Sequence, residues 1–273
     1  MLNSDSNRFA YAAQGVPRAR LCWIGFITSL IRSYQDIVRH YMFTIAPTAV
    51  TTLLYCVVFG NFIGRQVGKV GDLSYAQFIA PGLILLPTIA SAYGQAGLAL
   101  VVAKLFRQIE EQLVSPQPSW MLVVNYVAGG ALRGMLVGTV AGIVTLIVTH
   151  ATVERPLMGL AVLLLVSLAS SIAGFMNGVF AKTMDQMTWV SSFVLTPLTY
   201  LSGVFYAVSL LPEWARRLSQ LDPVFYLLNL FRYCMSGISD GHLGISLAVI
   251  LVVTSAMFGV AVALMARGYG IRE

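Results

Sequence analysis

Apolar runs too long for an ordinary core helix, broken by short polar interruptions, make up most of this 273-residue chain. A stretch of about 20 apolar residues is long enough to cross a bilayer as a helix, with every backbone polar group paired inside the segment. On that pattern the sequence predicts six spans. The first lies near Met42 to Ile63, the second within the charge-free run Leu73 to Ala103, and the third ends near His150. The fourth falls within Pro156 to Ala181, the fifth opens at Trp189, and the sixth runs from about Ile245 to Ala266. The start of the third is ambiguous, because Arg133 interrupts an apolar run that begins at Gln112.

Two stretches follow other rules. From Arg18 to Tyr41, the residues Ile24, Ile27, Ile31, Tyr34, Val38 and Tyr41 recur at steps of three and four, which places them on one helical face. Trp23 and several arginines accompany them, so the segment is expected to be an amphipathic helix lying in the membrane interface. Packing on a soluble partner would need the same periodicity. The second stretch runs from Trp189 to Gly241. It has no charge between Asp185 and Glu213, and Pro212, Glu213 and Trp214 then stop the helix. Beyond them, short apolar pieces alternate with Arg216, Arg217, Asp222, Pro223, Arg232 and Asp240, and none reaches the length of about 20 residues that a crossing needs. The expectation is a re-entrant helical hairpin, tolerated at membrane depth where it is buried in protein or lines a cavity.

These residues carry a resemblance. The runs TPLTYLSGVFYAVSLLPEW and LDPVFYLLNLFRYCMSGISDG are similar to the fifth helix and external re-entrant region of the ABC-2 type transporter permeases. Pro197, Ser202-Gly203, Leu211-Pro212 with Trp214, Pro223 and Arg232 come in that family's order, while Ala207 and Asp222 stand where proline and asparagine are expected. The resemblance implies an all-α membrane protein of six transmembrane helices, with a cytoplasmic tail and interfacial helix at 1–41 and the transmembrane domain at 42–273. It also implies an exporter subunit, paired with a second permease copy and docked on a separate ATP-binding subunit that holds the ATP and magnesium. The charged stretch KLFRQIEEQLVSPQPSW then occupies the place of the coupling helix, with Lys104, Arg107, Glu110 and Glu111 as its polar contacts. Read without the family, it is a solvated connector between spans two and three. The export route would run between two permeases, with Pro197, Tyr200, Phe205 and Tyr206 as candidate lining residues, although aromatics at a span end also serve as interfacial anchors.

Composition agrees with the membrane class: 58% of the residues are hydrophobic and 10% charged, against about 25% charged in soluble proteins. The net charge of +6 does not point to nucleic acid, since the basic residues are dispersed between spans. Their distribution sets an orientation. One side carries ten lysines and arginines, at 8, 18, 20, 32, 39, 104, 107, 182, 267 and 272; the other carries six, at 65, 69, 155, 216, 217 and 232. The positive-inside rule places both termini in the cytoplasm and the hairpin outside. With no apolar leader core before residue 40, no cleavable signal is expected.

Candidate chemistry is sparse. Gly130, Gly134, Gly138 and Gly142 recur at four-residue intervals and leave a groove for another helix, within the chain or across a dimer seam; Gly174 and Gly178 repeat the pattern. Arg133 either faces a wet interior, where it can touch a substrate headgroup, or snorkels to the cytoplasmic surface. Cys22, Cys56 and Cys234 suggest no disulfide framework, and His40, His150 and His242 have no metal-ligand spacing. Gly64 to Val70 is one residue short of a phosphate loop and has valine where the magnesium-binding hydroxyl belongs. No ATPase or other catalytic motif is expected in the chain. A secondary transporter or a non-transporting scaffold remain as alternatives; the first would want ionisable residues at mid-membrane, and the second leaves the hairpin unexplained.

Overall fold

The computed structural model describes residues 41–70, 73–109, 118–206, 208, 211–237 and 241–268, with 23, 25–28, 31, 35 and 39. Nearly all of this is helix. α1 (Tyr41–Tyr55) passes without a break into a π-helical segment, Cys56–Ile63, and a closing turn, α2 (Gly64–Val67). Gly68, at φ 76°, then turns the chain into a small antiparallel hairpin of β1 (Lys69–Val70) and β2 (Leu73–Ser74), with Lys69 opposite Ser74. The glycines that resemble a phosphate loop therefore close a helix and open a turn.

α3 (Tyr75–Leu105) starts at a capping box: the Gln77 amide donates to Ser74 Oγ (3.4 Å) and the Ser74 amide to Gln77 Oε1 (3.2 Å). Pro118 precedes α4 (Ser119–Thr149), which fixes the uncertain start of the third span and places Arg133 near the middle of a 31-residue helix. α5 (Pro156–Phe180) begins on its proline, whose missing N–H costs nothing in the first turn. Next, α6 (Met184–Val190), a second π-helical segment (Ser191–Leu195) and α7 (Thr196–Leu201) form one continuous helical run. Two short helices, α8 (Glu213–Leu221) and α9 (Pro223–Ser236), precede α10 (Leu243–Ala266).

Among the described residues, five helices are long and apolar enough to cross a membrane: 44–66, 75–105, 119–149, 156–180 and 243–266. The chain is thus an all-α, multi-pass membrane protein. The run from Met184 to Leu201, where a fifth crossing was expected, is not among the five. It opens on Asp185 and Gln186, and serine and threonine dilute its apolar residues. The described positions between 23 and 39 are helical, with Trp23, Ile27 and Ile31 exposed on successive turns.

α3 is the central helix and packs along its length on α4 and α5. Small residues allow the close approach. A Cβ on Gly130 would stand 2.7 Å from the Ala92 carbonyl oxygen, one on Gly134 2.8 Å from Ala92 Cβ, and one on Gly138 2.6 Å from Thr88 Oγ1. The groove of α4 is therefore filled by α3, with α5 supplying Ser171, Ser167 and Leu163 beside the same three glycines. Gly142 lies beyond the tight contact, its nearest neighbour being Ile84 Cδ1 at 4.0 Å. Further along α3, a Cβ on Gly178 of α5 would lie 2.8 Å from the Gly97 carbonyl oxygen.

α9 is too short to cross and is buried on nearly its whole circumference, from Val224 to Met235. It packs on α3, α5 and α10, and its end is tied to the α4–α5 connection: the Glu154 amide donates to the Met235 carbonyl (3.2 Å) and the Arg155 amide to the Cys234 carbonyl (3.1 Å). The Arg155 guanidinium covers the Tyr233 ring at 4.2 Å. The β hairpin, the α4–α5 connection, residues 202–206 and residues 211–237 consequently share one end of the bundle. The roots of the 105–118 segment and the α5–α6 turn share the other.

Candidate functional site

A cavity of about 250 Å³ opens between three helical walls. α1 contributes Thr51, Thr52 and Tyr55; α3 contributes Leu86, Pro87 and Ala90; the α6–α7 run contributes Ser191, Leu195, Thr196, Thr199 and Tyr200. Each wall has an irregular backbone: a π segment follows Tyr55, Pro87 removes an N–H from α3, and the third wall changes from π to α at Thr196-Pro197. Among the described residues, no carboxylate, amine or guanidinium lines the cavity. The polar side chains that line it are all hydroxyls. The Thr51 hydroxyl donates to the Pro47 carbonyl (2.8 Å), that of Thr196 to Ser191 (3.1 Å) and that of Thr199 to Leu195 (2.6 Å), all within their own helices.

Above one end of the cavity sits an aromatic cluster. Phe205 stacks on Phe59 of the first π segment at 4.5 Å and lies 5.7 Å from Tyr200, while its carbonyl accepts from the Tyr75 hydroxyl (3.0 Å). Tyr206 donates back to the carbonyls of Tyr200 (3.1 Å) and Leu201 (3.3 Å). The structure thus brings Tyr200, Phe205 and Tyr206 together, one turn beyond Pro197. The turn that carries them is clasped from two sides. Gly203 has φ 90°, and Gly82 of α3 lets Val204 approach so closely that a Cβ there would lie 2.8 Å from the Val204 carbonyl oxygen. From the other side, Arg232 of α9 donates to the Gly203 carbonyl (2.9 Å) and lays its guanidinium over Phe78 at 4.4 Å. Arg232 is the largest side chain fully buried in the molecule's described part.

Asp222 caps α9, its Oδ1 accepting from the Val224 amide at 2.9 Å, while Oδ2 is buried with no hydrogen-bond partner. Burial pushes this carboxyl up to about 6, partly offset by the amide bond.

The remaining predicted residues lie elsewhere. Arg133 donates from a terminal guanidinium nitrogen to Gln95 Oε1 of α3 and does not line the cavity. Its place at the middle of α4 argues against snorkelling to an end. Lys104 caps the C-terminus of α5, its ammonium donating to the carbonyls of Gly178 (2.8 Å), Val179 (2.6 Å) and Ala181 (3.3 Å). A cation at the negative end of a helix dipole is favourable. Arg107, at φ 56°, is exposed just beyond α3; Glu110 and Glu111 lie outside the described residues. Sequence reasoning missed the cavity and the Lys104 cap. The hydroxyls at 51, 52, 196 and 199 were visible, but what faces them across the bundle was not.

A family model described as ABC-2 type transporter matches residues 25–236. The chain is 38% identical over 253 residues to the inner membrane transport permease YadH of Escherichia coli K12, covering 93% of this chain and 99% of that protein. It is also 25% identical over 216 residues to nodulation protein J of Neorhizobium galegae, and 26% identical over 224 residues to that of Rhizobium leguminosarum bv. viciae; each match covers 79% of this chain. With its helical bundle, buried α9 and family-wide match, the chain belongs to the ABC-2 type transporter permeases.

Proposed function

We propose that this chain is the membrane subunit of an ATP-driven exporter in the cytoplasmic (inner) membrane, moving an amphipathic substrate with ATP hydrolysed by a separate subunit. The observation that carries the reading is the hydroxyl-lined cavity, walled by helices whose backbones are irregular at the same level. π segments and prolines are places where a helix can bend, and an alternating-access route needs walls that move relative to a rigid body. α3, α4 and α5, joined through glycine contacts, supply that body.

In this reading the α6–α7 run is a sixth crossing: its 18 residues, Met184 to Leu201, extend about 27 Å at helical rise, close to the hydrocarbon thickness. α8 and α9 are the external re-entrant hairpin, and both termini are cytoplasmic. Few residues of the 44–66 and 243–266 helices are buried within the chain, which leaves faces for lipid and for a second copy. The amphipathic stretch from Arg18 to Tyr41 lies in the interface. The 104–118 segment is the contact for the ATP-binding subunit, with Arg107, Glu110 and Glu111 as its polar contacts, while Lys104 anchors its root.

The test is electrostatic. Replacing Glu110 and Glu111 by arginine leaves the bundle untouched, so insertion and melting should stay parental. Co-purification with the ATP-binding subunit and permease-stimulated ATP hydrolysis should both fall, most at low salt, where screening is weakest. Parental coupling after replacement of residues 105–113 by a flexible linker would remove the lever from the mechanism.

A further inference from the structure

α10 meets the rest of the bundle at two levels and leaves a gap between them. Ile250 packs in a buried cluster with Leu163 and Val166 of α5, and three turns further along α10, Ala261 and Met265 pack in another with Leu122 and Val123 of α4. Between these levels lies a groove of about 320 Å³, lined by Val124 and Ala128 of α4, Leu168 and Ile172 of α5, and Ser255 and Phe258 of α10. No charged side chain lines it. Small residues keep it open: beside Ala128 and Ser255, a Cβ on Gly259, one turn on from Ser255, would meet nothing within 4 Å. The helix contacts also give its depth. Gly134 of α4 meets Ser167 of α5, so Leu168 lies at the level of the middle of α4. From there to Val124 is about ten residues, or about 15 Å at helical rise, half of the ~30 Å hydrocarbon thickness. Trp120, exposed one turn before Val124 on the same helical face, stands where that leaflet meets its headgroups.

We propose that this groove is a phospholipid site: it holds one acyl chain from a single leaflet, and the bound chain braces α10 against α4 and α5. Only the name of the leaflet, cytoplasmic, rests on the orientation proposed above. The space selects the occupant. A further membrane helix, about 10 Å across, would fill more than about 1,000 Å³ over the same length, whereas an acyl chain is slim enough to enter. Packing holds the chain there, since lipid tails are as apolar as the groove and gain nothing from leaving water. Left empty, the walls would forfeit the contacts that a close-packed interior makes. α10, with few of its residues buried within the protein, has the most to gain from such a neighbour.

The experiment places the full chain in nanodiscs doped with a phosphatidylglycerol that carries a diazirine midway along one acyl chain. The protein is then moved into maltoside detergent, washed, and only afterwards irradiated. Loosely associated lipid exchanges into micelles, whereas a packed chain stays. Mass spectrometry should find the retained label on the groove, at Val124, Ala128 and Ser255, and not at Ile245 or Val260, which are exposed elsewhere on α10. Ala128→Leu with Ser255→Leu fills the groove from both sides; displacing about ten carbon–carbon contacts should cut the retained label about tenfold. The distribution of label on the parent decides the matter even if the double variant does not fold. Loss of all label on washing, or equal label on the groove and on Val260, would overturn the site. A Ser255→Cys variant that oxidises to a dimer linked through position 255 would show the groove to be an interface between copies and would overturn the lipid. None of these readouts needs ATP or a partner, so the site and the exporter reading can fail separately.

Discussion

Single side chains in this molecule spend polar capacity on backbone. Lys104 caps α5, Arg232 holds the Gly203 turn, and Asp222 caps α9. Asp222 has the most to gain from a change. Its folded value, about 6, lies above the ordinary 3.8, so it adds stability that is complete below about pH 4 and lost as the pH rises through 6. Asparagine keeps an acceptor for the Val224 amide and carries no charge. Asp222→Asn should therefore raise the melting temperature at pH 7.5 relative to the parent and flatten its pH dependence between 4 and 7. Asp222→Ala loses the cap and should cost about 0.5–2 kcal/mol of stability. A melting curve for Asp222→Asn that keeps the parental pH slope would show that another group titrates. Asparagine is also the residue expected here from the family's pattern, and the buried, unpartnered Oδ2 gives a physical reason for that preference.

At the scale of elements, the four-residue glycine repeat of α4 was legible in the sequence, but its partner was not, since a groove has no address until a second helix lies in it. Three of the four glycines meet α3 and α5, and the fourth does not. The difference is testable. Gly130→Leu drives a branched side chain at the Ala92 carbonyl and should cost about 1–3 kcal/mol or more, seen as early melting or loss of monodisperse protein in detergent. Gly142→Leu meets only the end of a flexible isoleucine and should melt within a few degrees of the parent. Equal behaviour of the two variants would mean that the α3–α4 approach has slack. The π segments were not foreseeable either: Cys56–Ile63 and Ser191–Leu195 have ordinary apolar composition, and an extra residue per turn leaves no mark on hydrophobic periodicity.

For the whole molecule, apolar run length located the long helices because a bilayer imposes that length on any sequence that crosses it. The same rule says little about α6–α7, where Asp185, Gln186 and several hydroxyls lower the apolar content, and α9 was recognisable as an apolar piece too short to cross, punctuated by Asp222, Pro223, Arg232 and Asp240. The 31-residue helix α4 carries Arg133 at its centre, bonded to Gln95 of the helix before it. That bond bears on biosynthesis. An arginine at the middle of a lone helix opposes its partition from the translocon by about 2.5–3.5 kcal/mol, whereas α3, made earlier, already presents the glutamine. α3 and α4 should therefore leave the translocon as a pair. In a glycosylation-reporter assay, Arg133→Leu should raise the membrane insertion of α4 expressed alone. Gln95→Leu should lower insertion of the α3–α4 hairpin, and equal insertion with either residue at 95 would show that the bond forms only after both helices are in the lipid. A contact that looks like internal trim would then be a condition on how the chain is made.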